Sequence, residues 1–198
     1  MQPTMAILER ISKNSSKNKE EVFTKLYRYL LRPDLYYEAY RNLYANSGAA
    51  TKGVNNDTAD GFGEEKIAKI IQSLSDETYQ PMPVRRTYIE KSNGKKRPLG
   101  IPTFTDKLVQ EALRMVLQAV YEPVFLNCSH GFRPNRSCHT ALAELKKEFT
   151  GARWFVEGDI KGCFDNINHE VLVGLINQKI KDARLIKLIH KFMKDGYV

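Results

Sequence analysis

No stretch of this sequence approaches the roughly 18 consecutive apolar residues that a membrane-spanning helix needs. The first twenty residues lack an apolar signal core, and Glu9 and Glu20 set them apart from acid-poor transit peptides. Cysteine is scarce. Cys128, Cys138 and Cys163 form no Cys-x-x-Cys pair, and an odd number suits a reducing compartment. The neighbouring His130 and His139 do not turn these cysteines into a zinc site, because adjacent ligands on a helix point about 100° apart and the spacings match no common zinc pattern. His169 and His190 stand alone. Wholesale disorder is excluded as well, since 42% of the 198 residues are hydrophobic and 10% aromatic. These absences predict a soluble cytoplasmic protein with no membrane partner, long enough for one domain or a domain with a helical extension.

What the chain does have is positive charge: 31 Lys and Arg against 23 Asp and Glu, a formal net charge of +8. The excess is concentrated. Arg85–Arg97 and Lys179–Lys194 each hold six basic residues and one acid, and Met1–Lys19 holds four and one. The remainder of the chain is therefore mildly acidic. A single basic run describes a solvated face; three separate runs favour a polyanion, nucleic acid above all.

Periodicity gives a mainly helical chain. Residues 1–19 are polar and predict a short helix followed by a flexible lead-in. Val22, Phe23, Leu26, Tyr27, Leu30 and Leu31 recur at helical spacing, and Arg32-Pro33 ends that helix. Asp34 then caps a helix carrying Tyr36, Tyr40, Leu43 and Tyr44, stopped by Gly48. Six of the ten tyrosines lie between Tyr27 and Tyr44, at a spacing that suits a core stripe better than base stacking. After a loop over residues 48–63 comes a short helix on Ile67, Ile70, Ile71 and Leu74. Val84–Lys91 and Lys96–Ile101 then flank Asn93-Gly94, the strongest short-range hairpin signal. A long buried helix follows, ending before Pro123, and Ser137 caps another with Ala141, Leu142 and Leu145 inward. Arg153–Ile160 reads as a strand, Lys161–Asn168 as a tight turn, and His169–Lys179 and Asp182–Lys194 as two final helices. The class is α+β, helices with a small antiparallel β element.

Two constellations could carry chemistry. Asp159, at the end of an apolar strand and before a tight turn, places a hard oxygen ligand where a divalent cation can be held. The amides of Lys161, Gly162, Cys163 and Phe164 form a possible anion nest, and Asp165 suits an Asx turn or a helix cap. In the hairpin, Lys91 and Arg97 flank the Asn-Gly tip and could converge on a polyphosphate, although a basic edge also discourages aggregation.

Three stretches carry a resemblance. Tyr88–Thr103 (Tyr-Ile-Glu-Lys-Ser-Asn-Gly-Lys-Lys-Arg-Pro-Leu-Gly-Ile-Pro-Thr), Ser129–Leu142 (Ser-His-Gly-Phe-Arg-Pro-Asn-Arg-Ser-Cys-His-Thr-Ala-Leu) and Glu157–His169 (Glu-Gly-Asp-Ile-Lys-Gly-Cys-Phe-Asp-Asn-Ile-Asn-His) resemble group II intron-encoded reverse transcriptases, or maturases, in order and spacing. Ala50–Val54 and the Tyr-rich start resemble that family's N-terminal extension. The resemblance implies a right-hand polymerase, bacterial in type, with a basic helical extension over 1–48, fingers over 49–150 and the start of the palm over 151–198. It implies that Asp159 binds catalytic Mg²⁺ with the Ile160 carbonyl as a further ligand. Lys91 and Arg97 would contact the incoming dNTP, the amides of Lys161–Phe164 its β and γ phosphates, and Phe164 would crowd a 2′-OH. The implied RNA contacts are Lys13, Lys17, Arg85, Arg86, Lys95, Lys96, Arg133 and Arg136. The implied partners are intron RNA, bound to assist splicing, and template RNA with primer DNA. A non-catalytic RNA-binding module and a homodimer formed through apolar palm surface are the other readings.

The family's paired aspartates and its Pro-Gln-Gly motif have no counterpart in this sequence, which contains no adjacent aspartate pair. Two-metal phosphoryl transfer needs carboxylates to clamp ions about 3.5–4 Å apart, and Asp159 alone cannot supply them. The resemblance thus implies an N-terminal portion holding about half of an active site. The 198-residue polypeptide is expected to give no primer extension with template, dNTPs and Mg²⁺, and reproducible cDNA from the purified chain would refute this.

Overall fold

A computed structural model describes residues 2–90, 92 and 94–198 of the protein; Lys91, one of the two hairpin residues expected at a triphosphate, lies outside the described residues. The centre of the core is helix α4, Phe104–Tyr121, whose residues Leu108, Val109, Ala112, Val116 and Val120 are fully buried. The Thr103 hydroxyl accepts the Asp106 N–H at 3.1 Å and satisfies an otherwise orphaned donor at its start. Against α4 pack α1 (Thr4–Lys17) and α2 (Pro33–Tyr44). The polar start is therefore a full helix, not a short one with a flexible tail. Its Ile7, Leu8 and Ile11 line one face and are buried, and the Ser15 hydroxyl donates to the Val120 carbonyl at 2.7 Å.

Half of the tyrosine stripe goes into the core: Tyr27, Tyr29 and Tyr36 are buried, Tyr40 is half-buried, and Tyr37 and Tyr44 are exposed. Tyr27 and Tyr36 are buried and donate from their hydroxyls to the carbonyls of Leu74 and Leu30, each at 2.8 Å. Each ring thus buries apolar area while its polar end is satisfied. The helix expected over Val22–Leu31 shrinks to a 3₁₀ turn at Tyr27–Leu31. Tertiary pairing is the reason. The Phe23 N–H donates to the Lys179 carbonyl at 2.9 Å, and the Phe23 carbonyl accepts from Lys181 N–H at 2.8 Å, a strand-like bridge beside Ile180. Pro33 opens α2 as its first residue, where a missing N–H costs nothing.

Helix α3 (Glu64–Ser75) leads to the hairpin of β1 (Arg85–Glu90) and β2 (Lys96–Ile101), paired antiparallel with Arg85 opposite Ile101 and Glu90 opposite Lys96. Beyond α4, Ser137 caps α5 (Cys138–Glu148) through a reciprocal bond pair with Thr140. The cap is as expected, but Leu142 and Leu145 are exposed, because no described element covers that face. The strand expected at Arg153–Ile160 is not formed either. Trp154 is 90% and Val156 100% exposed, and the segment joins no ladder among the described residues. Its apolar alternation fits a pleated, half-buried surface, and that surface needs partner strands. Helices α6 (His169–Lys179) and α7 (Ala183–Lys194) close the fold, α6 capped by Asn168 and not by Asp165. The class is α+β, and no described helix is long and apolar enough to cross a membrane.

Asp182 joins the last third of the chain to the first. Its carboxylate accepts from Leu185 N–H at 3.3 Å, capping α7, and from Tyr27 N–H at 2.8 Å, capping the 3₁₀ turn 155 residues earlier. Asp182→Ala orphans two buried donors and is expected to cost about 2–4 kcal/mol, read as a lower urea midpoint at unchanged m-value.

Candidate active site

The hairpin is built outward from its base. Arg85 lies on the face that also carries Thr87, Ile89 and, across the ladder, Arg97; Arg86 lies on the other. The Arg85 guanidinium donates to the carbonyls of Lys52 (2.9 Å) and Gly53 (3.2 Å), and the Lys107 ammonium to those of Gly48 (3.2 Å) and Thr51 (3.0 Å). Burial, helped by the Arg85 charge, pulls the Lys107 amine below its ordinary range. The loop after α2 is thereby wrapped around two cations. Gly53 is needed there, since a Cβ would sit 2.7 Å from the Thr103 nitrogen and 2.8 Å from the Pro102 carbonyl. Toward the tip, Lys96 and Arg97 are exposed, and Lys95 lies beside them at the turn.

The turn after Asp159 is self-contained. The Asn166 side chain donates to the carbonyls of Lys161 (3.1 Å) and Gly162 (3.0 Å), and Gly162 takes φ +58°, with its missing Cβ 3.0 Å from the Asn166 amide. Asp159, Ile160 and residues 161–164 are exposed, Phe164 at 81%. The Asp159 carboxylate and the amides of Gly162, Cys163 and Phe164 have no hydrogen-bond partner among the described residues, and no bond links this turn to the hairpin. The hairpin tip and the turn thus present separate polar surfaces. The donor set beside the turn, one carboxylate and the Ile160 carbonyl, fits a single hard cation completed by water and phosphate oxygens. No described cluster of three or more Asp, Glu, His or Cys side chains offers a site for more.

The remaining basic residues divide into two groups. Lys13 and Lys17 are exposed on α1, one turn apart. Arg133, its side chain only 7% exposed, is held inside the loop before α5 by the Glu122 carboxylate (2.9 Å) and the carbonyls of Leu126 (2.7 Å) and Ser129 (2.8 Å). Arg136 donates to the Asn127 carbonyl at 2.5 Å. The α7 run is also turned inward. Arg184, Lys187 and Lys191 gather on Glu77 and on the carbonyls of Leu74, Ser75 and Tyr79, which closes the C-terminal end of α3. Glu77 there adopts φ +57°, and cations at a helix C-terminus oppose its partial negative charge. Sequence spacing alone had no signal for this role, because the acceptors lie about 110 residues away.

A basic hairpin, a Gly-Phe-Arg-Pro loop and an exposed aspartate before an amide-rich turn follow one another along a mainly helical scaffold. Residues 89–195 match the family described as reverse transcriptase (RNA-dependent DNA polymerase), and the chain belongs to that family. It is 72% identical over 199 residues to the group II intron-encoded protein LtrA of Lactococcus lactis subsp. cremoris, across 100% of this chain and 33% of that protein. It is 48% identical over 193 residues to an uncharacterized 91 kDa protein in a cob intron of Schizosaccharomyces pombe, across 96% of this chain and 24% of the other. Over 93 residues it is 34% identical to nuclear intron maturase 1, mitochondrial, of Arabidopsis thaliana, across 47% of this chain and 13% of that one. These relatives bear out the resemblance to group II intron-encoded reverse transcriptases. The chain spans a third or less of the length of each.

The exposed face of α1 depends on one carboxylate. Asp34 accepts from the Thr4 N–H (2.6 Å) and hydroxyl (2.7 Å) and pairs with Arg32 at 3.2 Å, so it caps α1 from another helix. Burial works to raise its carboxyl, but the Thr4 bonds and Arg32 outweigh burial and hold it below the usual range. A depressed carboxyl contributes stability above its unfolded pKa, and that contribution is lost as pH falls through the folded value. Amide protection factors in α1, taken against the intrinsic rate at each pH, are therefore expected to fall below about pH 4, and Asp34→Asn to remove most of that dependence.

Proposed function

We propose that the chain supplies the fingers and the first part of the palm of an RNA-directed DNA polymerase encoded by a group II intron, and that it also binds intron RNA. One observation supports the catalytic part above all: three residues after Asp159 come the successive amides of Gly162, Cys163 and Phe164, in a turn that Asn166 holds shut, and neither they nor the Asp159 carboxylate has a hydrogen-bond partner among the described residues. In this reading the carboxylate and the Ile160 carbonyl hold Mg²⁺, in line with the divalent-metal chemistry of the family. Bound there, the cation would neutralise charge developing on a triphosphate. The amides orient the β and γ phosphates, while Arg97, with Lys91, contacts them from the hairpin. Phe164 presents its ring where a ribose 2′-hydroxyl would collide.

Lys13 and Lys17 support the RNA-binding part, because they project from α1 on the side opposite its buried stripe. Lys95 and Lys96 extend the basic surface at the hairpin. Charge of this kind makes affinity for a polyanion fall steeply with salt.

The two parts are separable. In a polypeptide extended to the length of its relatives, Asp159→Ala is expected to reduce cDNA synthesis about a thousandfold or more and to leave the Kd for intron RNA nearly unchanged. Lys13→Ala with Lys17→Ala should weaken RNA binding and make the slope of log K against log salt shallower by about 1–2. Equal loss of RNA affinity and synthesis in Asp159→Ala would show that the division is wrong.

A further inference from the structure

A two-stranded hairpin is marginal by itself, and here both strands are exposed toward the tip. Its direction therefore depends on what grips its base. One grip is Arg85 on the loop carbonyls of Lys52 and Gly53. The second lies on the opposite face and involves residues after α7. The Val84 N–H donates to the Gly196 carbonyl at 2.9 Å, the Val198 N–H to the Val84 carbonyl at 3.0 Å, and the Arg86 N–H to the Val198 carbonyl at 2.7 Å. Residues 196–198 thus run along the free edge of β1 in parallel sense. The Arg86 guanidinium stacks on the Tyr197 ring, 3.5 Å from its centroid, and its Nε is buried without a hydrogen-bond partner among the described residues. A guanidinium placed to bind phosphate offers its N–H groups to solvent, and this one is turned onto a ring.

We infer that Arg86 and Tyr197 are positioning residues, which fix the fingers hairpin to the segment after α7 and so set the approach of Arg97 to a nucleoside triphosphate. Adjacent arginines on opposite strand faces then form a clamp, with Arg85 closing on the loop after α2 and Arg86 on Tyr197. The inference rests on the proposed nucleotide site, and it removes Arg86 from the RNA-facing set. Gly100, opposite Arg86, keeps the geometry open: a Cβ there would lie 2.8 Å from the Val84 Cγ2.

The test combines amide exchange with titrations, by a Mg²⁺–deoxynucleoside triphosphate and by RNA, of a polypeptide extended to the length of its relatives. In Arg86→Ala and Tyr197→Ala, exchange across residues 84–90 and 96–101 is expected to rise about tenfold, and triphosphate affinity to fall about fivefold. The salt slope for RNA should stay the same. Tyr197→Phe keeps the ring and should behave as the unsubstituted chain, while urea midpoints identify any variant that has simply unfolded. Unchanged exchange overturns the clamp. Faster exchange with undiminished triphosphate affinity overturns the positioning role, and a salt slope shallower by about 1 in Arg86→Ala makes Arg86 an RNA contact instead. If the unsubstituted chain binds no triphosphate, the nucleotide-site reading fails, and exchange alone then decides the clamp.

Discussion

Asp106 is the point where the hairpin meets the core. It is 2% exposed, and its carboxylate accepts from the Thr103 hydroxyl (2.6 Å), the Tyr79 hydroxyl (2.5 Å) and the Met82 N–H (3.2 Å). Thr103 follows β2 by two residues, and Met82 precedes β1 by three, so one side chain on α4 holds both ends of the hairpin. Burying a carboxylate is costly unless its lone pairs are filled, and here three donors from three segments fill them. Burial and the adjacent carboxylate push the Tyr79 phenol far above its ordinary range, which keeps it a donor. Charge-assisted bonds of this type are each worth about 1.5–3 kcal/mol. The consequence is geometric as much as energetic, because the strands cannot tilt without disturbing the first turn of the central helix.

The same economy of contacts explains why net charge was an incomplete guide to function. A run of arginines and lysines can meet carbonyls and carboxylates of its own chain as readily as phosphates. Arg184, Lys187 and Lys191 close a helix end, Arg85 and Lys107 shape a loop, and Arg133 pins the turn before α5. Of the residues expected at a polyanion, those left exposed include Lys13 and Lys17 on α1, Lys96 and Arg97 on the hairpin, and Lys161. A steep field at a few places steers a ligand more selectively than the same charge spread evenly.

Much of this was legible in the sequence, for identifiable reasons. Asn-Gly between β-rich runs fixed the hairpin, Ser137 with Thr140 the start of α5, and Leu185, Leu188 and Ile189 the inward face of α7. These signals are local. Most failures involve partners distant in sequence; the cap of α6, made by Asn168 and not by Asp165, is a local one. Val22–Leu31 has helical spacing, yet Phe23 bonds to residues near Ile180; Trp154–Ile160 has strand character but lies beside no ladder. The polar start looked mobile because Ile7, Leu8 and Ile11 are only three apolar residues, and only α4 reveals that they are enough. For the site, chain order and motif spacing indicated Asp159 and Arg97, whereas the Arg86–Tyr197 stack spans 111 positions without a local signature.

The two polar surfaces assigned to a nucleotide are stiffened by different means, and the difference matters for how they could act together. The turn at 161–166 is closed by its own Asn166, which bonds to the carbonyls of Lys161 and Gly162. The hairpin takes its direction from Asp106, Arg85 and Arg86 at its base. A binding group is useful only if its own rotamer and backbone are held by neighbours. Arg97 is thus positioned at second hand, through a lever whose fulcrum is α4, while Asp159 stands on a backbone that the described residues leave uncovered. Bringing a triphosphate between them requires cover over Trp154, Phe155 and Val156, since an exposed apolar segment of that size is an interaction surface. In the proposed reading, the turn closed by its own side chain is the part that would orient phosphate, and the uncovered part is the one that would hold the metal.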